Sequence, residues 1–214
     1  MNPKSLKLQA RSLQEMAMRK PYVKELAGFR YHVFKKVYKG GTDTELLCEL
    51  LKVRKGEDVW DIGTGTGLVA IKAKRLGAYY VLATDKNSAA VINAKKNSKF
   101  LKLKIDVKKV DVFGNIKKKF DLIVFNPPFT DHPARQSHHI SFWDRGHATI
   151  RKFFTRLNNH LKPNGRALIC WSSFAKTSKL KRIAHEYDFL LKEEGRRKGK
   201  NGFSYYVYRI QNSK

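Results

Sequence analysis

The stretch Asp61-Ile62-Gly63-Thr64-Gly65-Thr66-Gly67 constrains this chain more than any other. It joins a short apolar run, Asp58 to Ile62, to a helical run beginning at Leu68. Glycines at alternate positions let the backbone adopt positive φ and let a ligand come close to the main chain. A strand that turns through glycines into a helix opens a parallel sheet, and such sheets bind ligands at the carboxyl ends of their strands. A dinucleotide fingerprint would have its third glycine at position 68, which is Leu68. The alternating spacing instead points to a ligand without a pyrophosphate; a bare tight turn is the alternative.

The rest of the chain alternates in the same way. After the first strand, the pattern predicts a helix over Leu68 to Leu76, ended at Gly77, and a strand over Tyr79 to Thr84. A helix follows over Ser88 to Asn97, then strands over Leu103 to Val107 and Phe120 to Phe125. The last of these is apolar throughout, as a strand covered on both faces would be. Further on come a helix over Ala148 to Leu161, a turn Lys162-Pro163-Asn164-Gly165, a strand over Arg166 to Ser172 and a helix over Thr177 to Glu186. Two strands, Phe189 to Glu193 and Phe203 to Ile210, close the chain around a basic loop, Gly195 to Gly202. Upstream, Ser5 to Met18 predicts a short basic helix stopped by Pro21. Tyr31 to Tyr38 predicts an irregular arm or short strand. Thr42 or Asp43 is suited to cap a helix running to Leu51. The expected architecture is an α/β fold, Rossmann-like, with a mostly parallel sheet between two layers of helices. Residues 1–41 form a basic helix and arm, and residues 42–214 the main domain.

Two acids follow the glycine turn at telling positions. Asp85 ends the second strand, where a carboxylate can accept from both hydroxyls of a ribose. Asp111 and its apolar neighbour Val112 follow the third strand and suit an adenine amino group and ring face. Together with the turn, these residues resemble the class I S-adenosylmethionine-dependent methyltransferases. The resemblance implies S-adenosylmethionine as cofactor, with Gly63, Thr64, Gly65 and Gly67 in its loop and Asp61 near its amino group. It further implies Asp85 at the ribose, Asp111 and Val112 at the adenine, and a seven-stranded sheet of order 3-2-1-4-5-7-6 with strand seven antiparallel. Tyr38 with Asp43-Thr44 resembles the segment of release-factor glutamine methyltransferases in which a Tyr and an Asp-Thr pair close over the cofactor. Gly40-Gly41 stands where that group usually has Pro.

Asn126-Pro127-Pro128-Phe129 directly follows the fourth strand. The prolines stiffen the backbone and donate no amide hydrogens. The Asn126 side-chain oxygen and the Pro127 carbonyl are then fixed acceptors, and two acceptors suit a planar amino group with two hydrogens. Phe129 offers a flat apolar surface to a flat substrate. A rigid turn is the plain structural reading. The motif resembles that of methyltransferases acting on the exocyclic amine of adenine or guanine, or on the side-chain amide of glutamine. The closing Phe is common in the small-domain ribosomal RNA guanine enzymes, whereas the glutamine enzymes usually have Tyr. Pro128 and Arg135 are placed to touch substrate. His138 and His139 read as solvated loop residues and Trp143 as a packing residue.

Charge bears on the partner. Lys plus Arg number 45 against 18 Asp plus Glu, a formal net charge of +27. Such a field attracts polyanions, RNA foremost. Ten basic residues fall before Gly41, and Arg196, Arg197, Lys198 and Lys200 form a second cluster expected at the mouth of the pocket. A protein substrate and a non-catalytic RNA-binding module are the competing readings. No apolar run approaches the ~20 residues of a membrane helix, and no signal peptide is apparent. Cys48 and Cys170 read as buried reduced thiols of a cytoplasmic protein, and no residue cluster suggests a metal.

Overall fold

The computed structural model describes residues 3–213. Its centre is β3 (Asp58–Ile62), every residue of which is buried. Parallel neighbours flank it: β4 (Tyr80–Asp85) on one side and β6 (Phe120–Phe125) on the other. Beyond them lie β5 (Asp106–Lys109) and β7 (Leu161–Ser172), also parallel. The remaining strands, β8 (Phe189–Lys198) and β9 (Ser204–Asn212), form a hairpin, and β9 runs antiparallel to β7. The order is β5-β4-β3-β6-β7-β9-β8. Counted from β3, this is the expected 3-2-1-4-5-7-6 sheet.

Six helices accompany the sheet among the described residues: α1 (Pro3–Met18), α2 (Thr42–Leu50), α3 (Leu68–Arg75), α4 (Ser88–Phe100), α5 (Ala148–His160) and α6 (Thr177–His185). The core is apolar and aromatic. Trp60 is fully buried among Phe113, Phe120 and His160, and its indole donates to Thr84 Oγ1 at 2.9 Å. Gly67 enters α3 at φ 86, and a Cβ there would meet Ala94 of α4 at 3.2 Å. Only glycine permits both the turn and that close approach of helices.

Several sequence expectations need correction. The N-terminal arm contains a hairpin, β1 (Tyr22–Leu26) and β2 (Phe29–Val33); of the segment Tyr31 to Tyr38, read as an irregular arm or short strand, the first three residues are strand and the rest is irregular. It docks on α4 through two fully buried asparagines. Asn93 Oδ1 accepts from Phe34 N and Asn97 Oδ1 from His32 N, each at 2.8 Å, and both side-chain amides donate to His32 O. The third strand of the main sheet starts at Asp106, later than expected, because the end of α4 holds the preceding chain: Leu103 N donates to Ser98 O. The Lys162–Gly165 turn lies inside β7, where the pairing with β6 is irregular. Neither Thr42 nor Asp43 caps α2; Gly41 holds that position without a side-chain cap. The basic loop is shorter than expected. Arg196, Arg197 and Lys198 pair with Tyr206, Tyr205 and Ser204 of β9, and the turn closes through Gly199 N on Phe203 O.

Candidate active site

Parallel pairing brings the carboxyl ends of β3, β4, β5, β6 and β7 to one edge of the sheet. Ile62 stands level with Thr84 and Phe125. A cleft opens there, lined by Asp61, Gly63, Thr64, Gly65, Asp85, Asp111 and Val112, together with Thr44, Asn126 and Pro128. Asp61 is buried, and its Oδ2 accepts from Thr64 Oγ1 (2.6 Å) and the Ala70 amide (3.1 Å). Burial outweighs those bonds and pushes its pKa up to about 7. Asp85 accepts from the Gly65 and Asn87 amides, and burial raises its pKa as well.

A second, larger cavity lies beside the first. Its walls are Pro127, Phe129, Phe174, Phe203 and Tyr205, with Lys39, Lys200 and residues of α1 at the margin. Tyr38, Gly40, Asn126 and Ser141 face both spaces. Asn126 is therefore one of four residues at the boundary between the two. Its Nδ2 donates to Asp43 Oδ2 at 2.8 Å, and Asp43 Oδ1 accepts from the Tyr38 hydroxyl at 2.8 Å. The carboxylate can only accept, so it fixes which end of the amide is nitrogen. The other end, Oδ1, is buried and has no hydrogen-bond partner. An orphaned acceptor costs about 1–3 kcal/mol. Asp43 stays in the first turn of α2 but serves Asn126 and Tyr38 rather than the helix end. Gly41 completes this arrangement: a Cβ there would come within 2.9 Å of the Tyr38 oxygen.

Other predicted residues fall less centrally. Gly67 turns the chain into α3 and lines neither cavity. Asp111 reaches the cleft with a half-exposed carboxylate that also pairs with Lys152 Nζ at 2.9 Å. Phe129 lines the larger cavity but is mostly buried, its ring 5.5 Å from Trp171 and 5.7 Å from Phe174. Arg135 is exposed on the 130–147 loop and lines neither space. Of the basic cluster, Lys200 borders the larger cavity. Arg196 and Lys198 are exposed on β8, and Arg197 is neutralised by Glu45 and Glu49 of α2. His138 is buried, contrary to its solvated reading. Sequence reasoning missed Gln9, Phe142, Phe174, Phe203 and Tyr205 as cavity walls. Four of these are aromatics in segments that the periodicity gave no reason to bring together.

The cleft suits S-adenosylmethionine. Two carboxylates with raised pKa, the buried Asp61 and the half-buried Asp85, are compatible with a ligand bearing an ammonium group and ribose hydroxyls. Gly63 and Gly65, at φ 66 and 56, leave the loop backbone open to it. Among the described residues no group of three or more His, Cys, Asp or Glu could hold a metal ion.

The comparisons with known proteins agree. Residues 35–196 match the methyltransferase small domain. A Methanocaldococcus jannaschii protein assigned as a protein N5-glutamine methyltransferase is 34% identical over 155 residues, covering 70% of this chain and 79% of the relative. The ribosomal protein L11 methyltransferase of Lactobacillus johnsonii is 31% identical over 73% of this chain, which spans only 46% of that relative. A solved T. thermophilus 16S rRNA N2 guanosine methyltransferase, in complex with AdoMet and guanosine, superposes with a TM-score of 0.69 at 22% identity, over 90% of this chain and 50% of that one. With the sheet order and the glycine-turn cleft, these matches identify the chain as a member of the methyltransferase small-domain family, an S-adenosylmethionine-dependent methyltransferase.

Proposed function

We propose that the chain methylates the exocyclic nitrogen of a base in RNA, ribosomal or transfer RNA. The observation that carries this reading is the buried, unpartnered Asn126 Oδ1 at the junction of the cofactor cleft and an aromatic-walled groove. In this reading Asp61 faces the cofactor's amino group, Asp85 its ribose, and Asp111 with Val112 its adenine. Thr44, Gly63, Thr64 and Gly65 shape the same site, while Gly67 acts by fixing the loop. Bound S-adenosylmethionine supplies an electrophilic methyl group on a sulfonium.

The protein's own task is to present the nitrogen. Asn126 Oδ1 and the Pro127 carbonyl accept one hydrogen each from the target NH₂. Two acceptors held by a rigid backbone turn the nitrogen lone pair out of conjugation with the ring. Asp43 keeps the Asn126 amide from rotating, and Tyr38 keeps Asp43 in place. No strong base is required, since the nitrogen becomes acidic once methylated. Positioning of this kind accounts for a large part of catalysis in transfers between bound partners.

The groove fits a base better than a bare amide. Phe129, Phe142, Phe174, Phe203 and Tyr205 give it apolar faces and edges for a flat ring. Lys39 and Lys200 stand where flanking phosphates would pass, and a net charge of +27 favours a polyanion. Residues 1–41 then serve the substrate, and residues 42–214 form the catalytic domain. The free, buried Cys48 and Cys170 support a reducing, cytoplasmic setting.

Glutamine methylation is the second reading. The Methanocaldococcus jannaschii relative and the Tyr38–Asp43–Asn126 chain of hydrogen bonds favour it. Incubation with methyl-labelled cofactor and separated RNA and protein fractions of a cell extract decides between them. Label in RNA, removed by ribonuclease, is the expected result. Label confined to a protein band assigns the enzyme to glutamine.

A further inference from the structure

Helix α1 buries one stripe: Ser5, Gln9, Leu13 and Met16. Its back half is held by the apolar pair Leu13 and Met16 and by Lys36 N donating to Met16 O. Its front half has no buried apolar residue. There the helix depends on polar contacts, and Gln9 makes two long-range ones. Gln9 Nε2 donates to Thr130 Oγ1 at 2.8 Å, and Gln9 Oε1 accepts from Trp143 Nε1 at 3.0 Å. Ordering a buried glutamine costs side-chain entropy, and an aliphatic residue would fill the site without hydrogen-bond constraints. The amide therefore contributes direction as well as packing.

Both partners belong to the stem of one loop. Thr130 immediately follows Phe129 of the Asn-Pro-Pro-Phe motif, and the stem closes through Thr130 N on Phe142 O and Asp144 N on Thr130 O. The loop contributes Ile140 and Ser141 to the cofactor cleft, and Ser141 and Phe142 to the groove. Phe142 packs edge-on against Tyr38 at 5.3 Å, and Tyr38 holds Asp43, which holds Asn126. Contacts thus run from α1 to the acceptor atom. Residues of α1 line the groove and none lines the cofactor cleft.

We propose that Gln9 is a positioning residue. It latches the front of α1 to the 130–147 loop and so sets the substrate groove against Asn126. The inference rests on the reading that the groove holds the methyl acceptor. Both residues that Gln9 bonds lie in the loop stem and neither lines the cofactor cleft, so loss of the latch raises KM for the acceptor far more than it weakens cofactor binding.

The test compares Gln9→Ala, Gln9→Glu and Trp143→Phe, alone and combined with Gln9→Ala, in the full chain. Glutamate keeps the bond from Trp143 and can accept the Thr130 hydroxyl proton, so it should rescue. Gln9→Ala should raise KM for total cellular RNA tenfold or more, change kcat less than threefold and leave the S-adenosylmethionine Kd within twofold. Amide exchange across residues 130–147 should quicken at least tenfold in the free protein. The double variant should be no worse than Gln9→Ala, since both changes break one latch. Parental KM and loop exchange in Gln9→Ala would overturn the proposal. A Gln9→Glu variant no better than alanine would also overturn it, as would a joint fall of kcat, cofactor affinity and melting temperature. If the parent labels protein and not RNA, the RNA reading fails and the same KM comparison is made on that protein. If it labels neither, loop exchange and its rescue by glutamate decide.

Discussion

A carboxylate at position 61 is costly before any ligand arrives. Burial holds the Asp61 proton up to a pKa of about 7, against 3.8 for a free side chain. The folded, ligand-free protein therefore keeps a proton there that the unfolded chain releases between about pH 4 and 7. Stability attributable to this group falls as pH rises through that window and is flat above it. Asparagine can accept the same bonds from Thr64 and Ala70 without the charge. Asp61→Asn should raise the melting temperature of the ligand-free protein at pH 8 and leave it near the parent's at pH 4, with an upper bound of about 4 kcal/mol at high pH set by the shift from 3.8 to about 7. The same variant should lose most of the stabilisation that S-adenosylmethionine gives the parent. Melting curves with and without the cofactor at the two pH values check both statements. An asparagine variant that follows the parent at every pH would mean that Asp61 is ionised and solvated in the free protein. Asp61 was legible in the sequence because a strand end next to a glycine turn has one location in this fold. The wiring of Asn126 was not, since its Asp43 partner lies 83 residues away and the distance closes only when α2 packs on the sheet.

Elements were legible where local pattern and burial agree. The central strands β3 and β6 and the helices α2 to α6 sit close to where apolar periodicity puts them, because each buries a face defined by its own residues. The hairpin β1–β2 was legible only as a short strand offered beside an irregular arm, because what holds it is side-chain chemistry from another element. Asn93 and Asn97 look like ordinary polar positions of a surface helix, yet both are fully buried under β2. The hairpin in turn supports the site: Tyr31 donates to Lys39 O at 2.7 Å and Lys24 to Gly40 O at 2.6 Å, just ahead of Asp43. Asn93→Ala removes the acceptor for Phe34 N and one donor to His32 O. It should cost about 1–3 kcal/mol. Hydrogen exchange should quicken over residues 22–34 while β3 and β6 stay protected. Uniform loss of protection would instead make the hairpin one cooperative unit with the sheet.

At the scale of the whole molecule, the C-terminal basic cluster meets the aromatic groove only at Lys200. The basic residues of the cluster are not equivalent. Arg197 is committed to Glu45 and Glu49, whereas Arg196, Lys198 and Lys200 are exposed on and beyond the end of β8. Each phosphate contact on a single strand adds a log–log salt slope of roughly −0.7. Changing Arg196, Lys198 and Lys200 to Ser should flatten the slope of RNA binding by up to about 2 and weaken all sequences alike. Arg197→Ser should leave the slope near the parent's and lower the melting temperature. Filter binding across a salt series separates the two outcomes, and equal slopes for all variants would move the RNA off this cluster. One atom, the buried amide oxygen of Asn126, is expected to separate cofactor binding from methyl transfer. Calorimetry and methyl transfer on Asn126→Ala measure it most directly. With the amide oxygen gone, the S-adenosylmethionine Kd should stay within about twofold of the parent's. Turnover should fall a hundredfold or more, about 3 kcal/mol of lost transition-state stabilisation. A variant that binds the cofactor and methylates at the parental rate would contradict the account and leave the Asn-Pro-Pro-Phe turn as scaffold.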